Sequence, residues 1–108
     1  MGSQWEDFLS DIRDEAGELL KAEIINLVEQ AKNDTETFLQ QQGNKIEKYL
    51  NQLAAGKITK KQFAAYLKDI TALTEMHTLR LSVEARARAQ RMLLGITELL
   101  INRLLGLL

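Results

Sequence analysis

The sequence predicts an all-α chain: a long antiparallel two-helix hairpin that packs into an oligomeric helical bundle. Three observations predict it. The chain has no proline, its apolar residues recur in steps of three and four over nearly its whole length, and one cluster near the middle combines helix stop and start signals. Proline is the strongest helix breaker, and no stretch alternates apolar and polar residues with β-branched enrichment, so no strand signal competes.

The first helix is expected from about Gln4 to Ala55. Ser3-x-x-Glu6 is a candidate capping box, and Glu6, Asp7 and Asp11 suit the positive end of a helix dipole. The apolar stripe then runs Leu9, Ile12, Ala16, Leu20, Ile24, Leu27, Ala31, Thr35, Phe38, Gln42, Ile46, Tyr49, Leu53, without a phase jump at Gly43. Positions 9, 20, 31, 42 and 53 repeat at 11 residues, about 3.67 residues per turn, close to a straight unstrained helix. Such a helix would be roughly 75–80 Å long. Its weak point is Gln40-Gln41-Gln42-Gly43-Asn44, where a polar run with glycine can kink or divide it.

The turn is the most specific local signal. Gly56 can adopt the left-handed conformation that closes a helix. Thr59 and Gln62 have capping-box spacing, and Ile58 and Phe63 have the spacing of a hydrophobic staple across the same helix start. A second helix is expected over 60–107, with Phe63, Leu67, Ile70, Thr74, His77, Leu81, Ala85, Arg88, Met92, Ile96, Leu99 and Arg103 on one stripe. A second stripe through Tyr66, Leu73, Leu79, Val83, Ala87, Leu93, Leu100, Leu104 and Leu107 widens its apolar face.

Folding at Gly56 pairs residues whose numbers sum to about 115 and lays an acidic arm on a basic one. Residues 1–55 carry 5 Lys/Arg and 11 Asp/Glu, and residues 56–108 carry 9 and 4. This register sets Glu23 and Glu29 near Arg86 to Arg91, and Asp11 near Arg103. Exposed pairs contribute little stability each, but they select a pairing.

A two-helix hairpin leaves each helix uncovered on its far side. The tail exceeds that allowance: of the 17 residues 92–108, 11 are apolar and eight are Leu. A helix apolar nearly all round must be covered by protein or lipid. The expected contact is Leu93, Ile96, Leu100, Leu104 and Leu107, joined by Trp5 and Phe8 from the opposite end of the hairpin. On that expectation, replacing Leu100 and Leu104 with Asp lowers the assembly state and leaves helix content intact. The functional expectation is a structural protein that self-associates through amphipathic helices into a homo-oligomer. The alternative is an amphipathic coat or anchor on a membrane, lipid-droplet or polymer-granule surface; a helical partner protein is a further candidate to cover the tail. Against a span, the tail is short and carries Glu98, Asn102 and Arg103, with no aromatic belt.

Chemistry is thinly represented. Without Cys there is no disulfide, thiolate nucleophile or Cys-ligated metal, and His77 is the single histidine. Glu75 stands two residues from His77, on another helical face, so the pair lacks di-iron spacing and His77 reads as a seam residue. The acidic pairs Glu6/Asp7, Asp14/Glu15 and Asp34/Glu36 read as solvated helix faces. There is no glycine-rich phosphate loop or Gly-x-Ser-x-Gly motif. No enzyme activity, cofactor or metal is expected. The arginines at 80, 86, 88 and 91 are the one feature favouring nucleic acid, but a formal net charge of −1 and the acidic first helix favour internal pairing. Met1 to Asp7 has neither a basic nor an apolar leader segment, so the expected location is the cytoplasm or the periphery of a membrane.

Overall fold

The computed structural model describes residues 4–10 and 15–107, and the side chains of these except 15–18 and 107. It is all-helical, with no strand among the described residues. The two long helices are not continuous rods. The order is α1 (Gln4–Ser10), α2 (Glu15–Lys32), α3 (Thr37–Ala54), α4 (Lys60–Thr78) and α5 (Val83–Gly95). A π-helical segment, Ile96–Leu104, prolongs α5 and ends in the turn Leu105–Leu107. The extents are 40 × 24 × 22 Å and the radius of gyration is 13.4 Å, against about 13 Å for a compact chain of this length. The rod of roughly 75–80 Å is therefore overturned, and with it the plain two-helix hairpin.

The turn at the centre forms as its sequence predicts. Gly56 has φ +72°, the left-handed region where a Cβ is disfavoured. Thr59 Oγ1 accepts the Gln62 N–H at 3.1 Å, and Gln62 Oε1 accepts the Thr59 N–H at 2.8 Å. Phe63 is fully buried, with Ile58 packed at the core's edge. Across the α3–α4 hairpin the Gly56-centred register holds: Phe38 stacks on His77 at 3.8 Å, and Tyr49 on Tyr66 at 4.6 Å. His77 is a half-buried seam residue, as its spacing predicts.

The hairpin then doubles back on itself, because each arm contains a break. In Asn33-Asp34-Thr35-Glu36, short polar side chains compete with the helix for backbone hydrogen bonds. Asp34 Oδ1 accepts the Glu36 N–H at 2.8 Å and so stabilises the corner between α2 and α3. In the other arm Ser82 Oγ accepts the Ala85 N–H at 3.2 Å and caps α5. Arg86 donates to the carbonyl of Thr78 at 3.1 Å, which also accepts the Leu81 N–H at 3.2 Å, and to the carbonyl of Leu81 at 3.4 Å, so it ties α5 to the end of α4 and the corner after it. Gly43 does not divide its helix; α3 runs through it unbroken.

Doubling back brings α2 against α5 and the π-helical segment, so the acidic and basic arms meet in a shifted register. Arg88 pairs with Asp34 at 2.9 Å, and Arg103 with Glu23 at 3.0 Å. Asp11, expected beside Arg103, and Ser3 of the first capping box lie outside the described residues. Between α2 and α3, Lys32 Nζ sits 3.0 Å from both carboxylate oxygens of Glu47. Ser10 accepts a hydrogen bond from Lys21, tying α1 to α2.

One core fills the space between the helices. It draws Trp5 and Leu9 from α1, Ile24 and Val28 from α2, and Ile46 and Leu50 from α3. Phe63 and Leu67 come from α4, Ala89 from α5, and Ile96, Leu100 and Leu104 from the π-helical segment. The last three explain the π-helix. At 3.6 residues per turn, two consecutive steps of four rotate the stripe by about 80° away from the core. Turns closed by i→i+5 hydrogen bonds hold more residues each and reverse that drift. All three side chains therefore stay fully buried on one face.

Candidate functional site

The residues expected to mediate assembly are placed mostly inside the chain. Trp5, Ile96, Leu100 and Leu104 are 0 % exposed within a single copy, while Phe8 and Leu93 are half-buried. Leu107 is in the final helical turn, and its side chain lies outside the description. The tail needs cover, and α2 and α4 of the same molecule supply it. Only with two straight arms would that cover have to be external.

What remains uncovered lies elsewhere. Four large apolar side chains are exposed along the second arm around the α4–α5 corner: Leu73 (42 % exposed), Met76 (72 %), Leu79 (81 %) and Val83 (79 %). Leu73 and Met76 stand on α4, Leu79 is the residue that closes it, and Val83 opens α5. Single exposed leucines such as Leu19 and Leu94 are ordinary on a folded surface, whereas here four large apolar side chains are exposed within 11 residues. Exposed Glu75, Arg80 and Glu84 flank the run, so it carries both signs of charge. The second apolar stripe already holds Leu73, Leu79 and Val83, but periodicity carries the helix straight through Leu79-Arg80-Leu81-Ser82 and so places no corner there. The signal was Ser82 followed by Val83-Glu84, an N-cap with an acid in the first turn.

The second feature is an open cavity of about 410 Å³ where the C-terminal end of α2, the Asn33–Glu36 corner and α5 meet. The Asp34–Arg88 fork stands in its wall: Arg88 Nε donates to Oδ2 at 2.9 Å and Nη2 to Oδ1 at 3.2 Å. Burial by itself would raise the Asp34 pKa. The Arg88 hydrogen bonds, the Glu36 N–H and the Arg88 charge outweigh it and hold the carboxyl below the usual carboxylate range. A carboxyl with a depressed folded-state pKa stabilises the fold above its unfolded value of about 3.9. That contribution is lost as pH falls through the folded value. Asp34→Asn is therefore expected to lower stability by about 1–2 kcal/mol at neutral pH. The deficit should shrink toward pH 2, a trend that urea unfolding at pH 7, 4 and 2.5 measures.

No cluster of three His, Cys, Asp or Glu side chains able to hold a metal occurs among the described residues. Nor is any described helix long and apolar enough to cross a membrane. Of the arginines weighed for nucleic acid, Arg86 caps α4 and Arg88 pairs with Asp34. Comparison with family models, with curated proteins and with solved structures gave no match. The functional reading rests on the residues themselves.

Proposed function

We propose that the chain is a non-catalytic assembly module that associates with copies of itself, and that the α4–α5 corner is the contact. The observation that carries this reading is the exposed run Leu73, Met76, Leu79 and Val83 on an otherwise well-buried bundle. A two-fold contact presses a patch against its own copy, so each residue's neighbour across the axis comes from the same short list. The corner suits that geometry. Its four apolar residues fall within one short stretch, 73–83, and Arg80 between Glu75 and Glu84 can meet acids of the partner copy when the two corners run antiparallel. This keeps the self-association expected from the sequence and moves it from the leucine tail to a surface that a second molecule can reach.

The test is solution mass without detergent for the native chain and for the double substitution Met76→Lys with Leu79→Lys. Lysine is chosen because a cation at a helix C-terminus is favourable to the dipole. The native chain is expected at a discrete multiple of 12.3 kDa. The double variant is expected to be monomeric with unchanged helix content. A native chain that is monomeric at millimolar concentration, or one that becomes uniform only with lipid vesicles, overturns the proposal.

A further inference from the structure

We propose that the cavity beside the Asn33–Glu36 corner binds a small monoanionic amphiphile, an apolar chain or ring ending in a carboxylate. The volume of about 410 Å³ falls within the roughly 300–1,000 Å³ typical of small-molecule sites. Its floor is apolar: Leu27 and Ala31 from α2, Leu39 from α3 and Met92 from α5. Its rim is polar, with the amides of Gln30 and Asn33 and the guanidinium of Arg91.

The charges in the wall decide the ligand's sign. The lining holds two cations, Arg88 and Arg91, and one anion, Asp34. Arg88 spends both arms of its fork on Asp34 and also feels the charges of Glu84 and Glu36. Asp34 is engaged in turn by Arg88 and by the Glu36 N–H, and its side chain is only 7 % exposed. Neither is available to a ligand without breaking the corner. Arg91 is exposed, and no ion pair to it is found among the described residues. It stands three residues from Arg88 and so on the same side of α5. A single uncommitted cation at the mouth of an apolar hollow selects one negative charge joined to an apolar body. A cationic ligand would meet no free acid in the wall. The Gln30 amide donates to Asn26 at 3.3 Å and the Asn33 amide to Glu29 at 3.5 Å, which leaves each a second N–H of the kind that orients a carboxylate. This site is separate from the α4–α5 corner, and its occupation does not depend on assembly.

The test uses decanoate and decan-1-ol, which share a chain and differ in charge, each kept below its aggregation concentration. Backbone amide shifts are followed by ¹H–¹⁵N NMR in the native chain, in Arg91→Gln and in Arg91→Lys. Decanoate is expected to shift the amides of Ala31, Asn33, Leu39 and Met92 saturably, and to bind at least about fivefold more tightly than decan-1-ol. Arg91→Gln should remove that difference, and Arg91→Lys should restore most of it. Because Arg91 is exposed, an unchanged spectrum outside the cavity verifies that both variants fold. The proposal is overturned if cavity amides show no saturable shift or if the shifts centre on residues 73–83. It is equally overturned if acid and alcohol bind alike and Arg91→Gln changes neither.

Discussion

Leu100→Asp is expected to unfold the chain, with helix content and mass distribution changing together. Leu100 is 0 % exposed and packs in one cluster with Ile96, Leu104 and Trp5. The substitution removes a buried leucine and places a carboxyl where no partner is provided. The carboxyl must either stay protonated or draw water into the core. The expected cost is about 5 kcal/mol or more, comparable with the whole stability of a small domain at about 5–15 kcal/mol. Adding Leu104→Asp deepens the loss. This reverses what the straight-arm reading expects, namely a soluble helical monomer released from an assembly. Circular dichroism separates the two outcomes, because an interface leucine would leave the helical signal in place.

The second large effect is at Gly43. A Cβ added there would lie 2.7 Å from the Cβ of Ala31 and 2.7 Å from the backbone nitrogen of Lys32. Alanine at an ordinary helix interior position gains about 1 kcal/mol over glycine. At Gly43 the obstacle is largely backbone, which cannot swing aside, so α2 and α3 must separate. Gly43→Ala is expected to lose about 1–2 kcal/mol net, and Gly43→Val about 3 kcal/mol or more. Gly95→Ala is the control. There the closest neighbour is a terminal methyl of Leu27 at 2.8 Å, a flexible side-chain end that can move. Its expected effect lies between zero and about 1 kcal/mol of stabilisation. Urea midpoints for the three variants should therefore fall in the order Gly95→Ala, Gly43→Ala, Gly43→Val.

The same residues explain how far the sequence could be read. The helical class, the Gly56 turn and its capping residues were legible because they depend on neighbours within four positions. Most of the buried stripe in the first arm was legible too, from Leu20 and Ile24 through Ala31 and Gln42 to Ile46 and Leu53. Two facts hid the doubling back. The apolar period continues through Thr35 and Leu81 at helical spacing, so periodicity alone carries a helix across both corners. The stops are made by Asp34 and Ser82, whose side chains bond to backbone groups two and three residues ahead. Gly43 and its polar neighbours were the more conspicuous breaker and are the wrong one. Glycine there serves a close helix crossing, which is visible only once α2 is known to return along α3. The leucine tail misled for the same reason: its cover is α2 and α4 of its own chain.

Assembly surface and internal core are separated most directly by light scattering combined with small-angle X-ray scattering on the Met76→Lys, Leu79→Lys variant. The account predicts a particle of 12.3 kDa with a radius of gyration close to 13.4 Å, beside a native chain of higher, discrete mass. A variant that keeps the native mass would contradict the corner as the contact. A monomer with a radius of gyration near the roughly 22 Å of a straight 75–80 Å rod would contradict the doubled-back fold itself.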